Sequence, residues 1–87
     1  MLYFKRYWNE LRGDEHDDWG CSWWYFETND DGDVLRQIEV YDSGPALKYS
    51  ELHVEDEYGG LSEKPLDLAE FAEFTTRNQE FERAWNS

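Results

Sequence analysis

The chain has 87 residues; 21 of them are Asp or Glu and only 8 are Lys or Arg, which gives a formal net charge of −13. Aromatic residues make up 18% of the sequence, whereas acidic disordered chains contain few aromatic residues. The composition therefore excludes a disordered acidic tail and predicts one small acidic domain over residues 1–87. A fixed negative surface repels nucleic acid and anionic lipid, so we expect no direct contact with either and a preference for basic partners.

The cysteine content and the first residues bear on the cellular location. A single cysteine, Cys21, excludes an internal disulfide and is typical of a reducing compartment. The first residues, MLYFKR, lack the apolar core of a signal peptide, and no apolar run approaches the length of a membrane span. We therefore expect a cytoplasmic location. Cys21 itself is expected in a buried strand, as a core residue and not as a nucleophile.

Four strand-like segments come first in the chain. They are rich in aromatic and β-branched residues, and polar or Gly-containing stretches separate them. The segments lie at residues 2–9, 21–28, 34–42 and 46–56, with loops at 10–20 and 58–65 and turns at 29–33 and 43–45.

Helical spacing follows Pro65. Asp67 and Glu70 form a capping-box pattern, and the apolar residues after Asp67 share one helix face: Leu68, Phe71, Ala72 and Phe74. Thr75-Thr76 is predicted to interrupt this helix. A second capping pattern, Thr76 with Gln79, then opens a last helix. The apolar residues of this helix should pack on the sheet beside those of the first helix; they are Phe81, Ala84 and Trp85.

The order of these elements predicts the fold class. Strands followed by helices, with no βαβ alternation, are typical of α+β proteins. We expect an antiparallel meander sheet of about four strands, with one or two short C-terminal helices packed on one face.

The hairpin at residues 29–33 determines which side chains face each other. If Asp31-Gly32 occupies the centre of a type I′ turn, Glu27 lies opposite Arg36 and Asp30 lies opposite Asp33. One face of the sheet then carries Trp23, Tyr25, Ile38 and Val40. A three-residue loop would shift the register by one and set Phe26 opposite Arg36. We favour the type I′ turn because it gives the guanidinium a carboxylate partner, and we expect a structural ion pair between Glu27 and Arg36.

No catalytic constellation is present in the sequence. His16 and His53 lie in different segments without a nucleophile signature, and Ser22 and Ser43 lack the G-x-S-x-G setting of a nucleophile elbow. Many carboxylates are available for acid–base chemistry, but a solvated acidic face is a much better explanation of their number. We therefore predict a non-enzymatic protein with no catalytic residues.

Two acidic segments have ligand atoms that suit a divalent cation. Residues 14–18 show no recognised ligand spacing. Residues 29–33 look like part of a calcium loop, but alignment on Gly32 puts Ile38 where the bidentate Glu is required. The Gly59-Gly60 pair is flanked by acidic residues, which is unlike a phosphate-binding loop. We predict neither a metal site nor another cofactor.

Two acidic runs beside an aromatic residue are the candidate partner-binding sites. Loops held by a scaffold often carry recognition residues, Trp is a favoured interface anchor, and surrounding carboxylates steer a basic partner toward it. The first run is Asp14, Glu15, Asp17 and Asp18 beside Trp19, and the second is Glu55, Asp56 and Glu57 beside Tyr58. The alternative is that both runs only keep the protein soluble.

Several motifs run through most of the chain: Tyr3-x-Lys5-x-x-Trp8, Tyr25-Phe26-Glu27 before an acidic Gly turn, Arg36-x-Ile38-Glu39-x-Tyr41, and Glu80-Phe81-x-x-x-Trp85. With these motifs the chain resembles a family of small acidic bacterial domains without a settled function. The resemblance implies a small bacterial α+β domain and no catalytic residue. In size and charge the chain is also similar to bacterial toxin-immunity proteins and phage-encoded inhibitors.

Three functions fit these observations. The first is an immunity-type or antitoxin-type inhibitor that covers a basic protein such as a nuclease or toxin, because a positive cleft is complementary to an acidic surface. The second is a phage-encoded protein that mimics phosphate and inhibits a defence or DNA-binding complex. The third is a small protein-interaction module without a toxin partner. The sequence leaves the oligomeric state open.

Overall fold

A four-stranded antiparallel sheet forms the centre of the fold in a computed structural model that describes residues 1–87. Its strands are β1 (Leu2–Trp8), β2 (Ser22–Thr28), β3 (Val34–Tyr41) and β4 (Ala46–Ser50), in the meander order β1-β2-β3-β4. The helices are α1 (Leu68–Phe71), continued by a 3-10 turn at Ala72–Phe74, and α2 (Asn78–Trp85). The predicted α+β meander with two short C-terminal helices is confirmed. None of the helices has the length and apolar character needed to cross a bilayer.

A second, two-stranded sheet was not predicted. The chain leaves the main sheet after Ser50, which exchanges backbone hydrogen bonds with His53, so the fourth strand is shorter than the expected 46–56. Strand β5 (Glu55–Asp56) then pairs with β6 (Gly59–Gly60), which lies in the segment expected to be a loop. The Gln37 side chain donates to the Gly60 carbonyl oxygen at 3.2 Å. This bond holds the β5–β6 hairpin against one face of the main sheet.

The register between β2 and β3 is the predicted one, although the turn that joins them is different. Glu27 pairs with Arg36, and Trp23 and Tyr25 pair with Val40 and Ile38. The turn is a three-residue loop, because the Asn29 N–H donates to the Asp33 oxygen and the Gly32 N–H donates to the Asn29 oxygen, both at 3.1 Å. Only glycines have positive φ, so the predicted type I′ turn, which needs a positive φ at Asp31, is wrong, as is the pairing of Asp30 with Asp33.

A β-bulge explains how a different turn yields the predicted register. Thr28 pairs with Val34, and the next pair is Glu27 with Arg36, so Leu35 is an extra residue in β3. A three-residue loop shifts the pairing by one, and the extra residue shifts it back. Phe26 consequently lies opposite Gln37 and not opposite Arg36.

Gly32 fits tightly against the segment that leads into α1. Its φ is +89°, and a Cβ at this position would lie 2.6 Å from the Leu66 carbonyl oxygen. The Leu66 N–H donates to the Gly32 oxygen at 2.9 Å. The hairpin turn therefore fixes the position of the chain just before α1.

We predict that Gly32→Ala lowers the free energy of unfolding by about 2–5 kcal/mol, because left-handed strain and a clash with fixed backbone add together. Gly13→Ala is the matched control, since Gly13 has φ +81° and no atom lies within 4 Å of the place that a Cβ would take there. This control should cost only about 1–2 kcal/mol. Urea denaturation measures both values, and equal losses would contradict the role given to the Leu66 contact.

The helix α1 and its 3-10 continuation pack on the face of the sheet that carries Phe4 and Phe26. Asp67 caps α1 by accepting the N–H groups of Ala69 and Glu70 at 3.0 and 3.2 Å, as its sequence position predicts. The Phe71 ring lies 5.9 Å from Phe4 and 5.8 Å from Phe26, between ring centroids. These rings form one apolar cluster of the core.

The helix α2 packs on the opposite face. The chain crosses the outer edge of β1 at Thr75 and Thr76, where the Thr76 N–H donates to the Tyr3 oxygen at 2.9 Å. Phe81 is fully buried against Tyr3, at 5.5 Å between ring centroids, and the half-buried Trp85 stacks on Phe81. Each helix thus packs on one face of the sheet, but the expectation that the two helices share a face is wrong.

Two smaller expectations also differ from the structure. Helix α2 begins at Asn78 without a side-chain cap, and the Thr76 hydroxyl donates to Glu80 at 2.6 Å instead of forming a capping box with Gln79. Cys21 lies just before β2 and is half-buried, with its sulfur 3.8 Å from the Asn9 side-chain oxygen, so its expected place in a buried strand is wrong.

The ion pair between Glu27 and Arg36 connects the sheet to α2. Arg36 donates from Nε and Nη2 to the two Glu27 carboxylate oxygens at 2.8 and 2.7 Å, and the Tyr3 hydroxyl donates to the same carboxylate at 2.9 Å. The guanidinium also pairs with Glu82 of α2 and lies 4.8 Å from the centroid of the Phe81 ring. The hydrogen bonds from Arg36 lower the pKa of Glu27, although its burial opposes this effect.

We predict that Arg36→Met destabilises the protein by about 3–5 kcal/mol, because the Glu27 carboxylate remains buried without a counter-charge. The double variant Glu27→Gln/Arg36→Met should recover part of this loss. Arg83→Met, at an exposed position of α2, should change stability by less than about 0.5 kcal/mol. Chemical denaturation at pH 7 measures the three variants, and a double variant as unstable as Arg36→Met would contradict the paired-charge explanation.

Candidate functional site

The first acidic run folds into a compact loop that two of its own carboxylates stabilise. Asp17 accepts the backbone N–H groups of Gly13 and Asp14 at 2.6 and 3.1 Å, and Asp14 accepts that of His16 at 2.8 Å. A 3-10 turn at Asp17–Trp19 follows. All four acidic residues of the run are exposed, but only the side chains of Asp14 and Asp17 hold the backbone of the loop in shape.

Trp19 is half-buried and packs against other aromatic rings. Its ring stacks on His16 at 4.4 Å and lies 5.3 Å from Tyr41 and 5.4 Å from Tyr58, between centroids. The sequence suggested Trp19 as an exposed interface anchor. Its ring instead links the first acidic run to the sheet and to the second acidic run.

Arg12 reinforces this link. Its Nε lies 3.0 Å from the Asp14 carboxylate, its Nη1 donates to the Tyr41 hydroxyl at 3.0 Å, and its Nη2 donates to the Tyr58 carbonyl oxygen at 2.7 Å. The guanidinium also lies 5.3 Å from the centroid of the Trp19 ring. Arg12 was not among the predicted site residues, although a basic residue at the start of an acidic loop is a recognisable signal for such an internal partner.

The second acidic run is fixed in the same manner. Asp56 accepts the Tyr49 hydroxyl at 2.9 Å and the backbone N–H groups of Tyr58 and Gly59 at 2.8 and 3.2 Å. Glu55 and Glu57 are exposed. One carboxylate of this run thus holds the β5–β6 hairpin, and two remain on its surface.

The two acidic runs, far apart in sequence, form one surface. We call residues 14–19 and 55–58 together the acidic patch. Trp19 and Tyr58 are in contact at its centre, and Glu57, then Asp56 and Glu15, raise the pKa of the Tyr58 hydroxyl through their negative charge. A carboxylate of the first run therefore acts on a residue of the second. The exposed carboxylates of the patch that pair with no Lys or Arg and accept no backbone N–H group are Glu15, Asp18, Glu55 and Glu57.

A cleft of about 470 Å³ lies beside the acidic patch, between the main sheet, the 10–20 loop and the β5–β6 hairpin. Arg12 and Tyr58, which hold the patch together, also line the cleft. The apolar part of the lining consists of Trp8, Leu11, Trp24, Phe26, Tyr41, Tyr58 and Leu66.

Glu39 is the buried charged residue of this cleft. It is only 4% exposed, and its carboxylate accepts the Tyr41 hydroxyl at 2.8 Å and the Gln37 amide at 3.0 Å. No Lys or Arg side chain forms an ion pair with it. Burial raises the pKa of Glu39, and the two hydrogen bonds compensate only in part.

The surroundings of Glu39 are rigidly arranged. Gln37 is 1% exposed; its side chain donates to the Gly60 oxygen and accepts the Ser62 N–H at 3.0 Å. Ser22 accepts the Trp24 indole N–H at 2.8 Å. The sequence did not reveal this site, because the alternation of Gln37 and Glu39 with apolar residues is typical of the exposed face of a strand.

No family model, curated protein or solved structure matches the chain. The resemblance to small acidic bacterial domains therefore stays a prediction. The geometry of the patch and the cleft carries the functional interpretation.

We predict that Glu39→Gln makes the protein more stable at pH 7. The raised pKa means that the folded protein holds this proton more tightly than the unfolded chain, so Glu39 lowers stability as the pH rises past the ordinary value of about 4.3. The gain of the variant should shrink as the pH falls through the raised pKa. Denaturation midpoints between pH 4 and 8 test this, with the exposed Glu63→Gln as control. A gain that does not depend on pH would contradict it.

Proposed function

We propose that this protein is an acidic binding protein that covers a basic surface of another protein, in the manner of an immunity-type or antitoxin-type inhibitor of a basic nuclease or toxin. The observation that supports this proposal is the acidic patch, in which two distant runs share one surface. Unpaired carboxylates on a fixed surface are complementary to a cleft that binds nucleic acid, and such charge complementarity accelerates association.

The distribution of basic side chains favours the same function. Lys5, Arg6 and Arg36 pair with acidic side chains of the helical segments, and Arg12 is used inside the patch. Local ion pairs thus neutralise much of the positive charge away from the exposed carboxylates. Ion pairs with carboxylates therefore engage four of the eight basic side chains of the protein.

The patch is also preorganised. Asp14, Asp17 and Asp56 hold the backbone of the two runs through hydrogen bonds, so binding a partner need not order these loops. A surface that is already ordered loses less conformational entropy on association. In this interpretation Glu15, Asp18, Glu55 and Glu57 contact the partner, while Trp19 and Tyr58 position them. We also propose a cytoplasmic location, which the free thiol of Cys21 favours.

Neutralisation of the exposed carboxylates tests this proposal. The patch variant is Glu15→Gln/Asp18→Asn/Glu55→Gln/Glu57→Gln. Its matched control removes the same charge elsewhere on the surface, with Asp30→Asn/Asp31→Asn/Glu63→Gln/Glu73→Gln. Proteins captured from bacterial lysate by the unmodified chain are identified, and the association rate of each purified partner is then measured at several salt concentrations.

We expect a basic partner whose association slows at least tenfold with the patch variant and loses most of its salt dependence, while the control variant changes the rate by less than about threefold. Inhibition of a captured nuclease or toxin would support the immunity-type function. Capture of a DNA-binding complex would instead support the phosphate-mimicking alternative. Partners that are not basic, or equal effects of both variants, would contradict the proposal.

A further inference from the structure

We propose that the cleft beside the acidic patch is a binding site for an organic cation, an ammonium or guanidinium group on an apolar stem, with Glu39 as its counter-ion. The cleft borders the acidic patch and shares Tyr58 with it, but the proposal does not depend on the proposed contact with a basic protein. Three features of the cleft carry the proposal: an unpaired buried carboxylate, a lining whose charge favours cations, and aromatic walls around a suitable volume.

The first feature is the hydrogen-bonding capacity of Glu39. An ionised carboxylate offers about four acceptor positions, and the Tyr41 hydroxyl and the Gln37 amide occupy two of them. Both donors are neutral, so the charge itself has no partner. A buried carboxylate without a counter-charge is unfavourable, and a bound cation would supply both the missing charge and additional donors.

The second feature is that the guanidinium in the cleft wall is already used. Arg12 donates to Asp14, to the Tyr41 hydroxyl and to the Tyr58 carbonyl oxygen. It reaches Glu39 only through the Tyr41 hydroxyl and forms no ion pair with it. The lining also includes a second carboxylate, the exposed Glu10. The charge of the lining therefore favours a cationic ligand over an anionic one.

The third feature is the aromatic wall. Trp8 and Trp24 lie 6.3 Å apart, between ring centroids, on the sheet side of the cleft, and Tyr41 and Tyr58 also line it. Aromatic faces attract ammonium and guanidinium groups, more strongly where water is excluded. The volume of about 470 Å³ falls within the range of small-molecule sites, which is about 300–1,000 Å³.

Titration with three simple probes tests the proposal. The cations are n-butylguanidinium and n-butylammonium, and n-pentanol is the neutral control of similar size. Binding is followed by chemical-shift changes of the Trp8 and Trp24 indole N–H groups. We expect at least one cation to bind at least tenfold more tightly than pentanol. Equal binding of the alcohol, or no shift with either cation, would overturn the proposal.

Two variants locate the binding group. Glu39→Gln should weaken cation binding at least tenfold and leave pentanol binding unchanged, while Glu63→Gln, outside the cleft, should change cation binding by less than twofold. If Glu39→Gln does not give a native spectrum, Trp8→Leu decides the question, because Trp8 is 43% exposed and its loss should weaken cation binding at least threefold. Retention of full cation affinity in a folded variant of either kind would overturn the proposal.

The same titration identifies the source of the cation. The peptide acetyl-Gly-Arg-Gly-amide carries the guanidinium on a protein backbone. Binding of this peptide with an affinity close to that of butylguanidinium would assign the cleft to a basic side chain of another protein. Binding of the small cations alone would assign it to a free amine or guanidine. In both cases the patch variant described above should keep its cation affinity.

Discussion

The contact of Arg36 with Glu27 and Glu82 is the interaction on which the rest of the structure depends. It joins β2 to β3, and it attaches α2 to the same point of the sheet. Because both carboxylates approach one planar guanidinium, the strand register and the helix position must be correct together. The Phe81 and Trp85 rings pack on Arg36 and cover part of this contact. This matters because an ion pair that is fully exposed to water contributes little to stability.

Two buried glutamates on opposite faces of the sheet show how differently the fold treats a carboxylate. Glu27 has a bidentate arginine and its pKa is lowered, whereas Glu39 has two neutral donors and its pKa is raised. The first stabilises the protein at neutral pH and the second opposes folding there. A residue that opposes folding and lines a cleft is a typical sign of a functional position, and it separates the role of Glu39 from that of the structural pair.

Much of the fold follows from local signals in the sequence. The meander, the cap at Asp67 and the pairing of Glu27 with Arg36 depend on strand composition, a side-chain oxygen and charge complementarity between neighbouring strands. The predicted type of the β2–β3 turn was wrong because the extra residue in β3, Leu35, does not disturb the alternation of apolar and polar residues in the sequence. The packing of the two helices on opposite faces of the sheet was not predicted, because the chain crosses between the faces at Thr75 and Thr76 by pairing with the edge of β1. Helical periodicity carries no signal for this crossing.

Local signals likewise predict only part of the candidate site. The acidic runs are visible in the sequence because they are contiguous, but their contact through Trp19 and Tyr58 is not, since it needs the β5–β6 hairpin to fold back over the sheet. Glu39 was invisible for a related reason. A glutamate in a strand normally faces solvent, and only the segments that cover this face bury it.

The crossing of the chain at the edge of β1 has a consequence for self-association. An edge strand with free backbone groups is a template for pairing with another molecule. Thr75 and Thr76 occupy part of the β1 edge, and the C-terminal segment thereby protects the aromatic-rich first strand from aggregation. The C-terminal segment thus covers part of the edge of the first strand, and loss of residues 75–85 would expose a strand that is well suited to form intermolecular sheets.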